Sequence, residues 1–191
     1  MDEFKPSTLE FNLPDEDYQF FNLWLDPFFL GIIERYMGYS PYLLEAYIRR
    51  NFPSPYRTMN HYWHRDLNHK FLLVKAFIFF TDCEIENGPH EYVMKSHRDF
   101  TLNGKRYYSD QEVTETYPVE SGRVVKSLVK AGSVILEDTR GLHRAALPRL
   151  GHRDLGYAVF MPLPWFKSYR YINYQIKNDV FKKLTKRQAK Y

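Results

Sequence analysis

Cysteine is nearly absent from the sequence, which has a single thiol at Cys83. One cysteine cannot form an intramolecular disulfide, so nothing in the composition favours an exported, oxidised protein. Long hydrophobic runs are also missing. The longest apolar stretch, residues 71–80, is shorter than the ~18 residues of a membrane span and is interrupted by Lys75. The N-terminus has acidic residues and Pro6 where a signal peptide needs a basic start and an apolar segment. We therefore expect a soluble, cytoplasmic protein.

Positive charge is concentrated at the C-terminus. The net charge is +4, yet residues 167–191 alone carry eight Lys or Arg against one acid, Asp179, so the rest of the chain is net negative. This distribution weakens the case for nucleic acid as a partner. We predict a helix over 165–191 that docks through its apolar side, with contact between its basic side and an anionic partner as the alternative. Its apolar residues recur every four positions, at Ile172, Ile176, Val180 and Leu184.

The length of 191 residues fits a single domain whose central part, residues 57–164, has the pattern of a β-protein. Short apolar segments alternate there with glycine-containing turns, and no helices are interleaved, which predicts a sandwich or barrel rather than a parallel sheet. Tyr and Phe, with 16 and 15 copies, also favour strands. Strands are predicted at Arg57–His64, Phe71–Thr81, Tyr92–Met94, Val124–Val129, Ser133–Glu137, Leu142–Ala146 and Leu155–Met161.

Residues 1–56 are predicted to form a helical cover over this β-core. Two helices are expected, at Leu30–Met37 and Leu43–Phe52. The second is inferred from apolar residues at helical spacing, namely Leu44, Tyr47 and Ile48. A further short helix is predicted near 109–117, because Ser109 and Glu112 have the spacing of a helix-capping box.

The segment Tyr62-Trp63-His64-Arg65-Asp66 is the first candidate for chemistry. On an extended backbone, residues i and i+2 point to the same side, so His64 and Asp66 can contact one metal ion, whereas His61 has the opposite parity. A surface His beside an Asp is the commoner meaning of such a pair. His143, which follows an apolar strand and Gly141, is either a packed core residue or a third ligand. Two His and one carboxylate suit non-haem Fe(II), although zinc enzymes use similar sets.

Two cations are candidates for binding a carboxylate. Arg153 begins a predicted strand ten residues after His143, and Arg can hold a carboxylate through two parallel hydrogen bonds. A salt bridge at the rim of the fold is the alternative. Lys75 interrupts an apolar strand and could contact an anionic co-substrate or substrate. Alternatively, its stem packs while its amine reaches solvent.

Together these segments resemble the phytanoyl-CoA dioxygenase-like branch of the Fe(II)/2-oxoglutarate oxygenases, over roughly residues 57–164. The resemblance implies a double-stranded β-helix, which is a form of jelly roll. The matching segments are WHRD at 63–66, VKAFIFFTD at 74–82, ENGP at 86–89, SHR at 96–98, AGSVILEDTRGLHR at 131–144 and RDLGYAVF at 153–160.

The resemblance also implies an activity. His64, Asp66 and His143 would hold Fe(II), and Arg153 would bind the distal carboxylate of 2-oxoglutarate, with Lys75 as a candidate second contact. A small organic substrate would be hydroxylated with O2, and succinate and CO2 would be released. The alternatives are a jelly-roll binding module without activity and a metal-dependent cupin-like enzyme that does not use 2-oxoglutarate.

Two positions depart from the family pattern. Met94-Lys95-Ser96-His97 stands where the family has Pro-Gly-Ser-His, so Lys95 replaces a small turn residue. Ala145 stands where some relatives have a hydroxyl side chain that helps to hold 2-oxoglutarate. Both departures concern the surroundings of the proposed site and leave its predicted ligands unchanged.

Overall fold

The computed structural model describes residues 7–11, 18–66, 72–162, 179 and 182–190. Within these ranges, eight strands form two antiparallel sheets and three α-helices lie beside them. The strands are β1 (Thr8–Phe11), β2 (Tyr42–Asn51), β3 (Val74–Phe79), β4 (His90–Val93), β5 (Val124–Lys126), β6 (Val134–Asp138), β7 (His143–Ala145) and β8 (Arg153–Met161). The helices are α1 (Tyr18–Trp24), α2 (Pro27–Met37) and α3 (Asp110–Thr116).

The larger sheet has the strand order β1-β2-β8-β3-β6 and the smaller one β5-β4-β7. Their inner faces meet, as the rings of Phe77 in β3 and His90 in β4 lie 4.9 Å apart. Two facing antiparallel sheets with this topology form the predicted double-stranded β-helix. No helix in the described ranges has the length and apolar composition needed to cross a membrane.

Helices α1 and α2 cover the outer face of the larger sheet. Asp26 caps α2 by accepting a hydrogen bond of 2.8 Å from the backbone N–H of Phe28, and Pro27 occupies the first turn, where no intrahelical donor is needed. Gly38 ends the helix in the left-handed conformation, with φ of 79°. The core between these helices and the sheet includes Phe21, Trp24, Leu30, Ile33, Ala158 and Phe160.

The prediction of a helix at Leu43–Phe52 is wrong, because these residues form most of β2. The strand lies between β1 and β8 and pairs with β8 from Tyr42 to Asn51. A bulge between Leu43 and Glu45 shifts the side-chain alternation, which gave the strand an apolar spacing similar to that of a helix. The helical cover predicted for residues 1–56 therefore also contributes two strands, β1 and β2, to the larger sheet.

The other predicted elements have mixed outcomes. Helix α3 is confirmed, and Ser109 accepts a hydrogen bond from the N–H of Glu112 as the capping box requires. The strand predicted at Arg57–His64 is instead a 3-10 turn at Met59–His61 followed by single bridges at Trp63 and His64. The helix predicted over 165–191 lies largely outside the described residues.

The described end of the chain contacts the helical layer. Gln188 lies in a 3-10 turn and donates a hydrogen bond of 3.0 Å to the side chain of Asn22 in α1. Arg187 lies 3.3 Å from the carboxylate of Glu34 in α2. Leu184 packs on the core beneath α1 and α2. These contacts place residues 184–188 against the outer layer of the fold.

Lys95 has a φ of 64°, which makes it the one non-glycine residue with a positive φ in the described part of the chain. The conformation allows the turn after β4 to place Ser96, which is buried and accepts a hydrogen bond of 2.7 Å from the N–H of Leu142. A side chain in the left-handed region costs roughly 1–2 kcal/mol.

Replacing Lys95 with Gly is expected to stabilise the protein by about 0.5–1 kcal/mol. The gain from removing the Cβ clash exceeds the entropy that glycine adds to the unfolded chain. The free energy of unfolding in urea measures the change. Lys95→Ala keeps the Cβ atom and serves as the control, so an equal gain from alanine would contradict this explanation.

Candidate metal centre

The structure brings His64, Asp66 and His143 together, with one ligand atom from each within 4.8 Å of the others. Nε2 of His64 lies 3.8 Å from one carboxylate oxygen of Asp66, and Nε2 of His143 lies 3.7 Å from the other. The backbones of His64 and His143 exchange two hydrogen bonds of 2.9 Å each. This bridge fixes the two imidazole rings side by side, with centres 4.3 Å apart.

Backbone carbonyls set the orientation of both imidazoles. Nδ1 of His64 lies 2.8 Å from the carbonyl oxygen of Tyr62, and Nδ1 of His143 lies 2.9 Å from that of Gly141. Because a carbonyl can only accept, each Nδ1 carries the proton and each Nε2 has its lone pair available. Metal-binding histidines are usually held in this way.

The protonation states also suit metal binding. Burial lowers the pKa of His143 to about 3 and lowers the pKa of His64. Burial alone would raise the pKa of Asp66, but the charge of Lys75 and the neighbouring histidines hold it below its usual value. At neutral pH the cluster is therefore two neutral imidazoles and one carboxylate, which is the state that binds a metal ion. This donor set fits Fe(II).

A cavity of about 200 Å³ opens beside the two histidines and extends between the sheets. Lys75 and Arg153 project into it from the inner face of the larger sheet. Lys75 is paired with Val159 of β8, six residues along that strand from Arg153, so the two cations start about 20 Å apart along the strand. The cavity thus has the candidate metal ligands and Lys75 toward one end and Arg153 toward the other.

Arg153 is 1% exposed and lacks a full set of partners. Its Nη2 donates a hydrogen bond of 3.1 Å to Asn51, whereas Nε and Nη1 are buried with no partner among the described residues. Burial lowers the pKa of this guanidinium to about 10, so it remains charged at neutral pH. A buried charge without a counter-ion is costly. An anion with two oxygens is the ligand that these free donors fit.

Lys75 lies at the metal end of the cavity. Its Nζ is 2.5 Å from a carboxylate oxygen of Asp66, and its side chain is 19% exposed. It therefore neither projects freely to solvent nor contacts Arg153. Lys75 thus orients the carboxylate of Asp66 and remains within the cavity.

Arg65, which the sequence argument passed over, fixes the loops around the cluster. Its guanidinium donates to four backbone carbonyls at 2.6–2.9 Å. The accepting residues are Ser96, Asp99, Leu102 and Arg140. The side chain thus ties the segment between His64 and Asp66 to two distant loops. The sequence shows no signal for this role, because the acceptors are backbone atoms.

The tripeptide His-Arg-Asp occurs three times, at residues 64–66, 97–99 and 152–154, and its first and last copies face opposite ways. In residues 64–66 the His and Asp side chains belong to the candidate ligand cluster. In residues 152–154 the Arg faces inward, while the side chains of His152 and Asp154 are 44% and 17% exposed. The His152–Asp154 distance is 3.8 Å, equal to that of His64 and Asp66. Spacing alone therefore does not define the site.

A buried pair behind His143 also escaped the sequence argument. Nε2 of His90 lies 2.7 Å from a carboxylate oxygen of Glu137, and the other oxygen of Glu137 lies 3.9 Å from Nδ1 of His143. Burial would raise the pKa of Glu137, but His90 holds it below its usual value. The carboxylate of Glu137 thus lies on the Nδ1 side of His143, opposite the candidate ligand atom Nε2.

His61 stands outside the ligand cluster, as its parity predicted, and is 2% exposed. Its Nδ1 accepts a hydrogen bond of 3.0 Å from the N–H of Thr58. Burial, reinforced by Arg153 and Arg57, lowers the pKa of His61 to about 4. The neutral ring is therefore part of the folded structure at neutral pH.

We expect His61 to make the metal-free protein sensitive to acid. Below pH 6.5 His61 becomes protonated in the unfolded chain, whereas in the folded protein it stays neutral down to about pH 4. Its stabilising contribution is complete above pH 6.5 and falls by about 2–3 kcal/mol between pH 6.5 and 4.5. Unfolding in urea with a chelator present should show a shallower pH slope for His61→Asn than for wild type. The exposed His152→Asn control should keep the wild-type slope, and parallel curves for all three proteins would refute the assignment.

A jelly roll that presents two histidines and a carboxylate on one side of a cavity is the architecture of a non-haem iron oxygenase. The family model of phytanoyl-CoA dioxygenase (PhyH) matches residues 14–147, which is more than half of the chain. The chain belongs to this family, whose members are 2-oxoglutarate-dependent oxygenases. Among curated protein sequences, none matches the chain.

Solved structures share the fold. HygX from Streptomyces hygroscopicus, crystallised with nickel, 2-oxoglutarate and hygromycin B, is 23% identical with a TM-score of 0.60, over 86% of this chain and 73% of HygX. The carbocyclase SnoK from nogalamycin biosynthesis is 25% identical with a TM-score of 0.55, over 74% of this chain and 57% of SnoK. The epimerase SnoN, crystallised with Fe3+, alpha-ketoglutarate and nogalamycin RO, is 17% identical with a TM-score of 0.61, over 82% of this chain and 64% of SnoN.

Proposed function

We propose that the protein is an Fe(II)- and 2-oxoglutarate-dependent dioxygenase that hydroxylates a small organic substrate and releases succinate and CO2. The proposal rests on one observation, which is that two different features lie at the same cavity. The cluster of His64, Asp66 and His143 lies beside it, and the buried Arg153 projects into it with free donors. A metal site alone would suit several enzymes, but a metal site with a carboxylate-binding cation in the same cavity suits 2-oxoglutarate.

Each residue has a separate task in this proposal. Nε2 of His64, Nε2 of His143 and the carboxylate of Asp66 hold Fe(II) and leave positions for other ligands. When bound, iron with 2-oxoglutarate and O2 supplies the oxidising chemistry. Arg153 binds the distal carboxylate and so fixes the co-substrate in one orientation. Lys75 holds Asp66 and adds positive charge at the end of the cavity where the keto acid would lie.

The solved relatives support the use of 2-oxoglutarate as the co-substrate, but they differ in the reaction that they carry out on their substrates. HygX was crystallised with 2-oxoglutarate, while SnoK and SnoN are described as a carbocyclase and an epimerase. Oxidative ring closure removes two hydrogen atoms from the substrate and epimerisation leaves its composition unchanged, so neither adds oxygen. Hydroxylation is our proposal for this chain, and mass analysis of the product separates it from these two outcomes.

Conversion of 2-oxoglutarate to succinate tests the proposed function. Purified protein with Fe(II), ascorbate and O2 is expected to form succinate and CO2, and to stop when iron or O2 is withheld. His152→Ala is the matched control, because it removes a histidine with the same spacing to an Asp but away from the cavity. Metal binding without any 2-oxoglutarate turnover would instead favour the cupin-like enzyme, and the absence of both would favour the binding module.

A further inference from the structure

A second arginine lies next to Arg153 on the inner face of the larger sheet. Arg49 in β2 pairs with Leu155, while Arg153 pairs with Asn51, so the two arginines are diagonal neighbours on adjacent strands. Long side chains at such positions can reach each other. Both side chains line the same cavity as His64 and His143. The wrong helix prediction for Leu43–Phe52 kept Arg49 out of the sequence argument.

Arg49 also has an unused donor. Its Nη2 forms an ion pair with Glu10 of β1 and lies 3.4 Å from the hydroxyl of Tyr157. Its Nε is buried with no partner among the described residues. With Nε and Nη1 of Arg153, three buried nitrogens on two neighbouring guanidinium groups lack a hydrogen-bond acceptor. Unsatisfied buried donors are rare in proteins, and a group of them beside a cavity indicates a ligand.

The charges around these three nitrogens also favour an anionic ligand. Two guanidinium groups repel each other, and the acid that pairs with Arg49, Glu10, has a side chain that is 43% exposed. Tyr157 stabilises Arg49 through a cation–π contact, in which the guanidinium carbon lies 5.0 Å from the centre of the ring. A carboxylate between the two arginines would replace repulsion with attraction and could accept hydrogen bonds from both.

We propose that Arg49 is a second binding residue of the carboxylate subsite, so that the distal carboxylate of the co-substrate lies between the guanidinium groups of Arg49 and Arg153. The inference rests on the proposed use of 2-oxoglutarate. Tyr157 acts as a positioning residue, since its ring and hydroxyl contact the guanidinium of Arg49. The subsite therefore spans β2 and β8, and it depends on a strand that precedes the metal ligands in the chain.

Equilibrium binding to the Fe(II)-loaded protein without O2 tests the proposal. Arg49→Met is expected to weaken 2-oxoglutarate binding by about ten- to a hundredfold in calorimetric titrations, because charged hydrogen bonds are lost. Pyruvate has the same keto acid group but no distal carboxylate, so its affinity should stay within about twofold of wild type. Equal weakening of both ligands would overturn the proposal and indicate a general structural effect.

Two matched variants sharpen the test. Arg50→Met removes the neighbouring arginine, which points to the other face and pairs with Asp154, and should leave 2-oxoglutarate binding unchanged. Glu10→Gln breaks the same ion pair as Arg49→Met but keeps the guanidinium, so binding should stay equal or become tighter. If Glu10→Gln weakens binding as much as Arg49→Met does, Arg49 merely anchors β1 and the proposal fails.

The failures of the two proposals are distinguishable. If wild type does not bind 2-oxoglutarate, both the proposed function and the role of Arg49 are overturned. If wild type binds it and Arg153→Met weakens binding while Arg49→Met matches the Arg50→Met control, the function stands and the role of Arg49 is overturned.

Discussion

Replacing His64, Asp66 or His143 singly with Ala is expected to abolish succinate formation, with a loss of at least about 1000-fold. Each replacement removes one of three protein ligands, and a metal that lowers a barrier by several kcal/mol contributes a factor of this size or larger. The three variants should lose activity to the same extent, because the reaction requires the complete set. Succinate release under saturating 2-oxoglutarate measures the effect.

Metal-dependent stabilisation gives an independent measure of the same variants. Fe(II) at about one hundred times its dissociation constant should stabilise wild type by about 2.7 kcal/mol, which corresponds to a rise in Tm of about 5–10 °C. The ligand variants should show little rise, and the His152→Ala control should behave as wild type. A full Tm shift in Asp66→Ala would mean that the metal binds elsewhere.

Replacing Arg153 with Met is expected to weaken 2-oxoglutarate binding by about a hundredfold and, at the same time, to stabilise the metal-free protein by about 1–3 kcal/mol. The two effects have one cause. The guanidinium is held in the interior with two of its nitrogens unpartnered, so it costs free energy until an anion binds. Met fills a similar volume without a charge. Urea unfolding and calorimetric titration of the same preparation measure both quantities.

Arg65→Met provides the opposite case and serves as the control for Arg153. All four hydrogen bonds of Arg65 run to backbone carbonyls within the protein. Its removal leaves those acceptors unsatisfied, so we expect a loss of about 3 kcal/mol or more in stability. If both arginine variants destabilise the metal-free protein equally, Arg153 is a structural residue and the carboxylate subsite is placed wrongly.

The ligand cluster could be predicted from the sequence through the family resemblance, because the local patterns left its members open. His64 and Asp66 are two residues apart, so parity puts them on one side, but His143 lies 77 positions after Asp66 in the chain. The His-Arg-Asp at residues 152–154 shows the limit of arguing from parity. In this copy the side chain of Arg153 faces the cavity, and those of His152 and Asp154 point away from it. Pairing of the strand with its neighbours, and not the tripeptide itself, determines which side chains face inward.

Other features depended on long-range pairing that the sequence does not display. Residues 43–52 had apolar positions at helical spacing, but pairing with β8 and a bulge made them a strand, and tertiary contacts override such local preferences. Because these residues were predicted to be helical, Arg49 was not recognised as a residue that lines the cavity. The pair of His90 and Glu137 joins residues 47 positions apart and could not be found by spacing.

The measurement that tests the account most directly is a crystal structure of the protein with Fe(II) and 2-oxoglutarate, grown without O2. It should show iron bonded to Nε2 of His64, Nε2 of His143 and a carboxylate oxygen of Asp66. The keto acid end of 2-oxoglutarate should be on the iron, and its distal carboxylate should contact Arg153. Iron bound elsewhere, or a distal carboxylate that points away from Arg153, would contradict the account.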